Sequence, residues 1–239
     1  MKVPHISASS VKTWNSCKLQ FYADKILKVP RREEHPMTRV GSAVHLAFEK
    51  GTKEKEAIGN LAFACNKYNL EDKDLIDMAT DLSKTCEEWG WWDGIDDLDH
   101  CIPEYEFLLD IGLGVFVKGF IDRLDIQGDM ATILDIKTQA KKFTNAELKK
   151  NLQADIYNLA TRMEHPRITG PIRVEFWVLK HEIQAVTKTK EDALRTREYL
   201  RGVGREILDW DDDLQPHGTQ GYYCRWCNFA EECPELKKN

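Results

Sequence analysis

Apolar positions recur along the chain at two periods, and each change of period marks a change of element. Residues 7–27 carry Trp14, Cys17 and Phe21 at helical spacing behind serines able to cap, which predicts one helix with Cys17 on its apolar face. Residues 30–38, with Pro30 and Pro36, read as a loop, and a second helix is expected from Gly41. Residues 54–92 look helical throughout, with Ala57, Leu61, Ala64 and Tyr68, then Leu75, Met78, Leu82 and Trp89 inward. Trp91 and Trp92 suit either core or a stacking platform for bases, and core is the commoner use. An acidic run from Asp93 to Asp99 reads as a solvated connection.

The period then changes. Residues 104–111 alternate as a strand, and Gly112 and Gly114 turn it into residues 115–138, two β-rich runs joined by Gln127-Gly128-Asp129, a hairpin composition. Residues 145–163 return to helix, with Leu148, Leu152, Ile156, Leu159 and Met163 on one stripe. A strand over 172–180 and its return over 182–188 follow, then a charged helix over 190–208. Residues 209–221 form an acidic, turn-rich linker into a cysteine cluster.

The hairpin carries the chemistry. Side chains two apart on a strand share a face, so Asp135 and Lys137 point with Ile133, while Asp122 points with Phe116, Phe120 and Leu124. Carboxylates on apolar faces are costly without partners. A divalent cation between Asp122 and Asp135, with Lys137 beside it, would relieve that cost. A buried Asp–Lys pair in an ordinary sheet, or a register that turns these groups to water, would equally satisfy the pattern.

Composition narrows the class. Charged residues make up 31% and hydrophobic ones 42%, a globular proportion, and 239 residues can bury a sizeable core in one domain. No apolar run reaches membrane-spanning length, and the first residues lack the apolar segment of a signal peptide, so a cytoplasmic protein is expected. The net charge of −6 counts only mildly against a nucleic-acid partner, because positive charge can be gathered locally. After Thr138, Lys141, Lys142, Lys149 and Lys150 make the densest basic stretch, directly after the hairpin; it reads as a solvated face or a local attractor of phosphates.

Two helical pairs at i, i+4 remain, His45 with Glu49 and Gln153 with Tyr157, each a weak signal alone. Seven cysteines in a cytosolic chain argue against a disulfide framework. Cys224, Cys227 and Cys233 form a C-x2-C-x5-C cluster ending in Pro234, while Cys17 stands far upstream.

In order, these features are a cysteine helix, Gly41…His45, Gly119-Phe120-Ile121-Asp122, Asp135-Ile136-Lys137, Gln153…Tyr157 and Cys224-x2-Cys227-x5-Cys233. That order resembles the RecB-like branch of the PD-(D/E)XK nuclease superfamily, more narrowly its iron–sulfur members such as the CRISPR-associated spacer-acquisition exonuclease and the AddB nuclease domain. The resemblance implies an α/β, restriction-endonuclease-like fold, a mixed central sheet flanked by helices. It implies a single domain over 1–239, with a helical insertion at 54–100 and a cysteine region joining the two ends. It further implies a Mg²⁺- or Mn²⁺-dependent DNA exonuclease acting on single strands or DNA ends, with possible protein partners in recombination or CRISPR adaptation. By the same resemblance His45, Asp122, Asp135 and the Ile136 carbonyl hold the metal. Lys137 acts beside Asp122 and Asp135 in catalysis. Gln153 and Tyr157 order the site near DNA, with Lys141 and Lys142 beside it. Cys17, Cys224, Cys227 and Cys233 hold a [4Fe–4S] cluster.

Lys18 follows Cys17 where family members often have proline, and Ile121 stands where the superfamily's nominal proline would precede the first Asp. Four thiolates also suit zinc, although the wide split of one distant and three close cysteines, and Cys-Pro at the last, favour iron–sulfur. Either ion would close a loop of ~200 residues, disfavouring the unfolded chain by ~5 kcal/mol by analogy with disulfides. A non-catalytic nucleic-acid-binding module with a metal staple is the competing expectation.

Overall fold

The computed structural model describes residues 5–30, 34–51, 57–112, 114–209 and 216–237. In chain order the elements are β1 (His5–Ile6), α1 (Ala8–Ser16), α2 (Lys18–Tyr22), a π-helical turn (Ala23–Leu27), α3 (Pro36–Glu49), α4 (Ile58–Lys67) and α5 (Lys73–Glu88). There follow β2 (His100–Asp110), β3 (Phe116–Gln127), β4 (Met130–Lys137), α6 (Asn145–Lys149), α7 (Leu152–Glu164), β5 (Ile172–Val178), β6 (Glu182–Lys188) and α8 (Lys190–Leu208). The chain divides into two compact units. The first comprises Met1–Glu33, Phe107–Gly119 and Leu194–Asn239, the second Glu34–Glu106 and Phe120–Ala193.

The second unit is built on a mixed sheet. β3 and β4 form the antiparallel hairpin, with Arg123 opposite Leu134 and Gln127 opposite Met130. β4 and β5 run parallel, Asp135 opposite Phe176, and β5 and β6 run antiparallel. A parallel neighbour needs a crossover, and α6 and α7 supply it. One face of the sheet presents Leu134, Ile136, Trp177 and Leu179 to an apolar cluster from α3, α4, α5 and Trp91. The other face carries Ile133 and Asp135 toward α7, whose Tyr157 reaches Asp135. Helices therefore cover both faces, and the strand centres are buried on both.

Trp91 is core, edge-on to Phe48 at 5.5 Å and to Trp177 at 5.3 Å, as the commoner use implied. A buried salt bridge lies opposite the site-bearing face, Arg123 donating to both oxygens of Asp125 at 2.7 and 2.6 Å.

In the first unit β1 lies parallel to the start of β3, His5 opposite Phe116. Ser7 caps α1 in a reciprocal box with Ser10. The Trp14 ring meets Phe21 edge-on at 5.1 Å, and its indole N–H donates to Glu206 of α8 at 3.1 Å. Gly119 lies against the buried ring of Phe107, where a Cβ would sit 2.9 and 3.1 Å from the two Cε atoms and closer still to Cζ.

Four expected spans are interrupted, each by a capping residue that periodicity does not register. The 7–27 helix breaks at Cys17, whose extended backbone and sulfur cap α2. The second helix starts at Pro36, inside the expected loop, with proline in the first turn and the His35 ring accepting from Met37 N. The 54–92 helix is two helices, parted where Asn69 turns to φ 52° and Asp72 caps α5; residues 54–56 lie outside the described residues. The 145–163 helix breaks at Asn151, which caps α7. The 104–111 strand begins earlier, at His100. Most of the expected 209–221 linker, residues 210–215, lies outside the described residues.

Candidate active site

The site is assembled by α3, β3, β4 and α7 within the second unit. α3 buries Val40, Ala43, Val44, Ala47 and Phe48. Its Gly41 faces Thr138, just past β4: a Cβ there would stand 2.8 Å from Thr138 Oγ1. This close approach carries His45, one turn later, to Asp122, with Nδ1 3.2 Å from Oδ1. The other Asp122 oxygen, Oδ2, accepts from the Ile136 backbone N–H at 2.6 Å, so this carboxylate takes up a β4 donor beyond the last recorded β3–β4 pair.

Asp135 is 1% exposed. Its Oδ1 accepts from the Tyr157 hydroxyl at 2.8 Å and from Gln153 Nε2 at 3.0 Å, and Gln153 Nε2 also donates to the Tyr157 oxygen at 2.6 Å. Its Oδ2 meets the Lys137 ammonium, which also stands 5.7 Å from the Phe176 ring centroid. The break at Asn151 decides this geometry: restarting the helix there sets Gln153 and Tyr157, one turn apart, onto one oxygen of the strand below.

The charges are strongly coupled. Burial opposes ionisation of Asp122, but the His45 charge and hydrogen bond, Lys137 and the Ile136 N–H hold its pKa below the ordinary value. Asp135 is pushed up, by burial first and by Asp122's charge, against the pull of Lys137. Burial likewise works against the His45 imidazolium, but Asp122 outweighs it and the net shift is upward. Burial and the two aspartates raise Tyr157 well above the ordinary range, which keeps it a hydroxyl donor. Two buried carboxylates thus face one ammonium and an imidazole, a set of hard oxygen donors that a dication suits. Among the described residues, no three or more His, Cys, Asp or Glu side chains stand converged as they would around an ion; the carboxylates are engaged with Lys137, His45, Tyr157, Gln153 and Ile136 instead.

All six side chains expected around the metal, His45, Asp122, Asp135, Lys137, Gln153 and Tyr157, are thus in one connected cluster. Ile136 joins it through its N–H, where a carbonyl contact was expected. Lys141 and Lys142 stand outside the cluster, Lys142 paired with Glu182 at 3.1 Å. Glu104 was missed. It sits on β2 in the left-handed region (φ 46°) and is pushed up to about 7 by burial, then by Asp122 and Glu49. Nothing in its local sequence ties it to residues 18 or more positions away.

The four expected cluster cysteines lie in the first unit and line one pocket with Leu19, Tyr223 and Phe229. All are free thiols. Cys17 Sγ accepts from Gln20 N and Thr219 N, each at 3.4 Å, and Cys224 Sγ from Gly221 N at 3.3 Å. Four thiols, apolar walls and N–H groups aimed at sulfur are by chemistry a donor set for a thiolate-bound metal, zinc or iron–sulfur, although no three of these side chains converge on one point.

A model of the PD-(D/E)XK nuclease superfamily matches residues 5–234. The chain belongs to this superfamily. Its mixed sheet flanked by helices is the restriction-endonuclease-like fold. The crystal structure of a "putative exonuclease" from Eubacterium rectale is similar to this PD-(D/E)XK protein over 99% of the chain and 88% of its own, with a TM-score of 0.62 and 14% identity, a likeness that speaks for the fold alone. The crystal structure of SSO0001 aligns over 91% and 94% of the two chains at 15% identity, with a TM-score of 0.42. No curated protein matches the chain. Among the described residues, no helix is long and apolar enough to cross a membrane.

Proposed function

We propose that this PD-(D/E)XK protein is a Mg²⁺- or Mn²⁺-dependent deoxyribonuclease, an exonuclease working on single strands or DNA ends as one RecB-like domain. The observation that carries the reading is the connected cluster of His45, Asp122, Asp135, Lys137, Gln153 and Tyr157, drawn from four elements onto one patch.

His45, Asp122 and Asp135, with the backbone at Ile136, would hold the cation. When bound it supplies a water nucleophilic at neutral pH and neutralises charge on the phosphate. Lys137 brings a cation to the face where negative charge develops and can orient the attacking water. Tyr157 and Gln153 fix the rotation of the Asp135 carboxylate by occupying one oxygen, which leaves the other to Lys137. His45 steadies Asp122 from α3. Cys17, Cys224, Cys227 and Cys233 would hold a [4Fe–4S] cluster as a structural staple.

The test is digestion of single- and double-stranded DNA labelled at either end, with Mg²⁺ and Mn²⁺ in turn. Stepwise shortening from one end, stopped by EDTA and lost in Asp135→Ala and Lys137→Ala, is expected. An Asp135→Ala protein as active as the wild type would refute the assignment.

A further inference from the structure

Beside the catalytic cluster a cleft of 330 Å³ opens, lined by Met37, Thr38, His45, Ile136, Lys137, Thr138, Gln139, Ala140 and Lys180. Its size is that of a small-ligand site. The lining contains no Asp or Glu, in a chain that carries 40 of them. Lysine enters at the ends of two neighbouring strands. β4 and β5 run parallel, so Lys137 closes one strand and Lys180 lies just beyond the same end of its neighbour, where Leu179 N donates to Lys137 O at 2.9 Å. The turn is held there by His181 Nε2, 2.9 Å from Ala140 O.

The two lysines differ in their partners. Lys137 is committed to Asp135. The Lys180 ammonium lies 3.7 Å from the Met78 sulfur, a weak acceptor, and has no carboxylate partner among the described residues. By contrast Lys142, in the basic run that follows the hairpin, is paired with Glu182. An exposed ammonium at the rim of a cleft free of carboxylates, with Thr38 and Thr138 in the same lining, is suited to an anion rather than to an internal ion pair.

We infer that this cleft is a phosphate subsite in which Lys180, with Thr38 and Thr138, binds a phosphodiester flanking the scissile one on the same DNA strand. The inference rests on the nuclease reading and adds to it a positioning residue outside the catalytic cluster. Lys180 neutralises a phosphate equally in ground and transition states, so its removal acts on binding and leaves the chemical step alone.

Two measurements separate this from the nuclease reading. In EDTA, where cleavage is stopped, the wild type and Lys180→Ala are titrated with a labelled oligo(dT) at several salt concentrations. Loss of one phosphate contact lowers the slope of log affinity against log salt by about 0.7 and weakens binding about fivefold at 0.1 M salt, and Lys180→Arg restores both. In Mg²⁺, Lys180→Ala raises KM by a similar factor with kcat within about twofold. Unchanged slope and affinity in Lys180→Ala would overturn the subsite, as would a loss of kcat at constant KM. The binding arm stands whether or not the wild type cleaves DNA, so failure of the nuclease reading appears separately. A thermal melt identical to wild type is expected, because Lys180 is exposed.

Discussion

Gly119 opens the G-x-x-D stretch that ends in Asp122, and the structure supplies a steric reason for it. A methyl group there would stand 2.9 and 3.1 Å from two Phe107 ring carbons and nearer to a third, whereas carbon atoms settle at about 3.5–4.0 Å. The ring is 1% exposed, so it must retreat by about 1 Å into packed surroundings. Overpacking of this kind costs about 1–3 kcal/mol, and a rigid aromatic ring places Gly119→Ala near 3. Phe107→Leu alone leaves a small void worth about 1–2 kcal/mol. It also removes the obstructing atoms, so in the double variant the penalties do not add, with about 2 kcal/mol of coupling. Urea denaturation of the four proteins measures this directly. Catalysis should fall with the single Ala variant, since a misplacement of about 1 Å at a reacting group costs about 100-fold. Additive penalties, or a Gly119→Ala protein within about 0.5 kcal/mol of wild type, would refute the steric account.

Asp125→Ala strands Arg123 in the sheet and should cost about 3–5 kcal/mol, read from a denaturation midpoint. Tyr157→Phe deletes one of two donors to the same Asp135 oxygen; a loss of about 1.5–3 kcal/mol in stability is expected, with more Mg²⁺ needed for half-maximal cleavage. Glu104 has a folded pKa of about 7 against an ordinary 4.5, so between these values the folded state binds more protons and stability falls as pH rises through them. Facing it are Asp122, Glu49, His45 and Lys50. In EDTA, Glu104→Gln should abolish that slope and be more stable than wild type by about 1–2 kcal/mol at pH 8, after discounting for water on its exposed side; equal pH profiles would dismiss the burial argument. Protein purified without oxygen should be brown with about four irons per chain, and Cys227→Ser should lose both colour and melting temperature; stoichiometric zinc in a colourless protein would select the other metal.

The sheet was legible because alternation is a local property: β3, β4, β5 and β6 each fall where the two-residue period places them. α8 was legible to the residue. The helix boundaries were less so, since Cys17, Asn69, Asp72 and Asn151 end or restart helices without disturbing the apolar stripe that 3.6 periodicity detects. Gln153 and Tyr157 were visible only as a spacing at the edge of that stripe; their shared partner, Asp135, lies 18 and 22 residues away and across an element boundary. Gly41 was legible as a small residue at a close approach, but Thr138 as the group approached was not. Lys180 is farther still from its neighbours in the cleft: it lines the same cleft as Lys137 only because two strands run parallel, a pairing that no local pattern in either segment encodes.

The division into units has a consequence for biosynthesis. Every side chain of the proposed catalytic cluster has been synthesised by residue 157, and the whole second unit by Ala193. Three of the four sulfurs of the cysteine pocket emerge only after that, more than 200 residues behind Cys17. The proposed catalytic cluster is therefore complete in the growing polypeptide while the cysteine pocket still consists of one thiol, and any group held by all four sulfurs would be acquired after the second unit has been made.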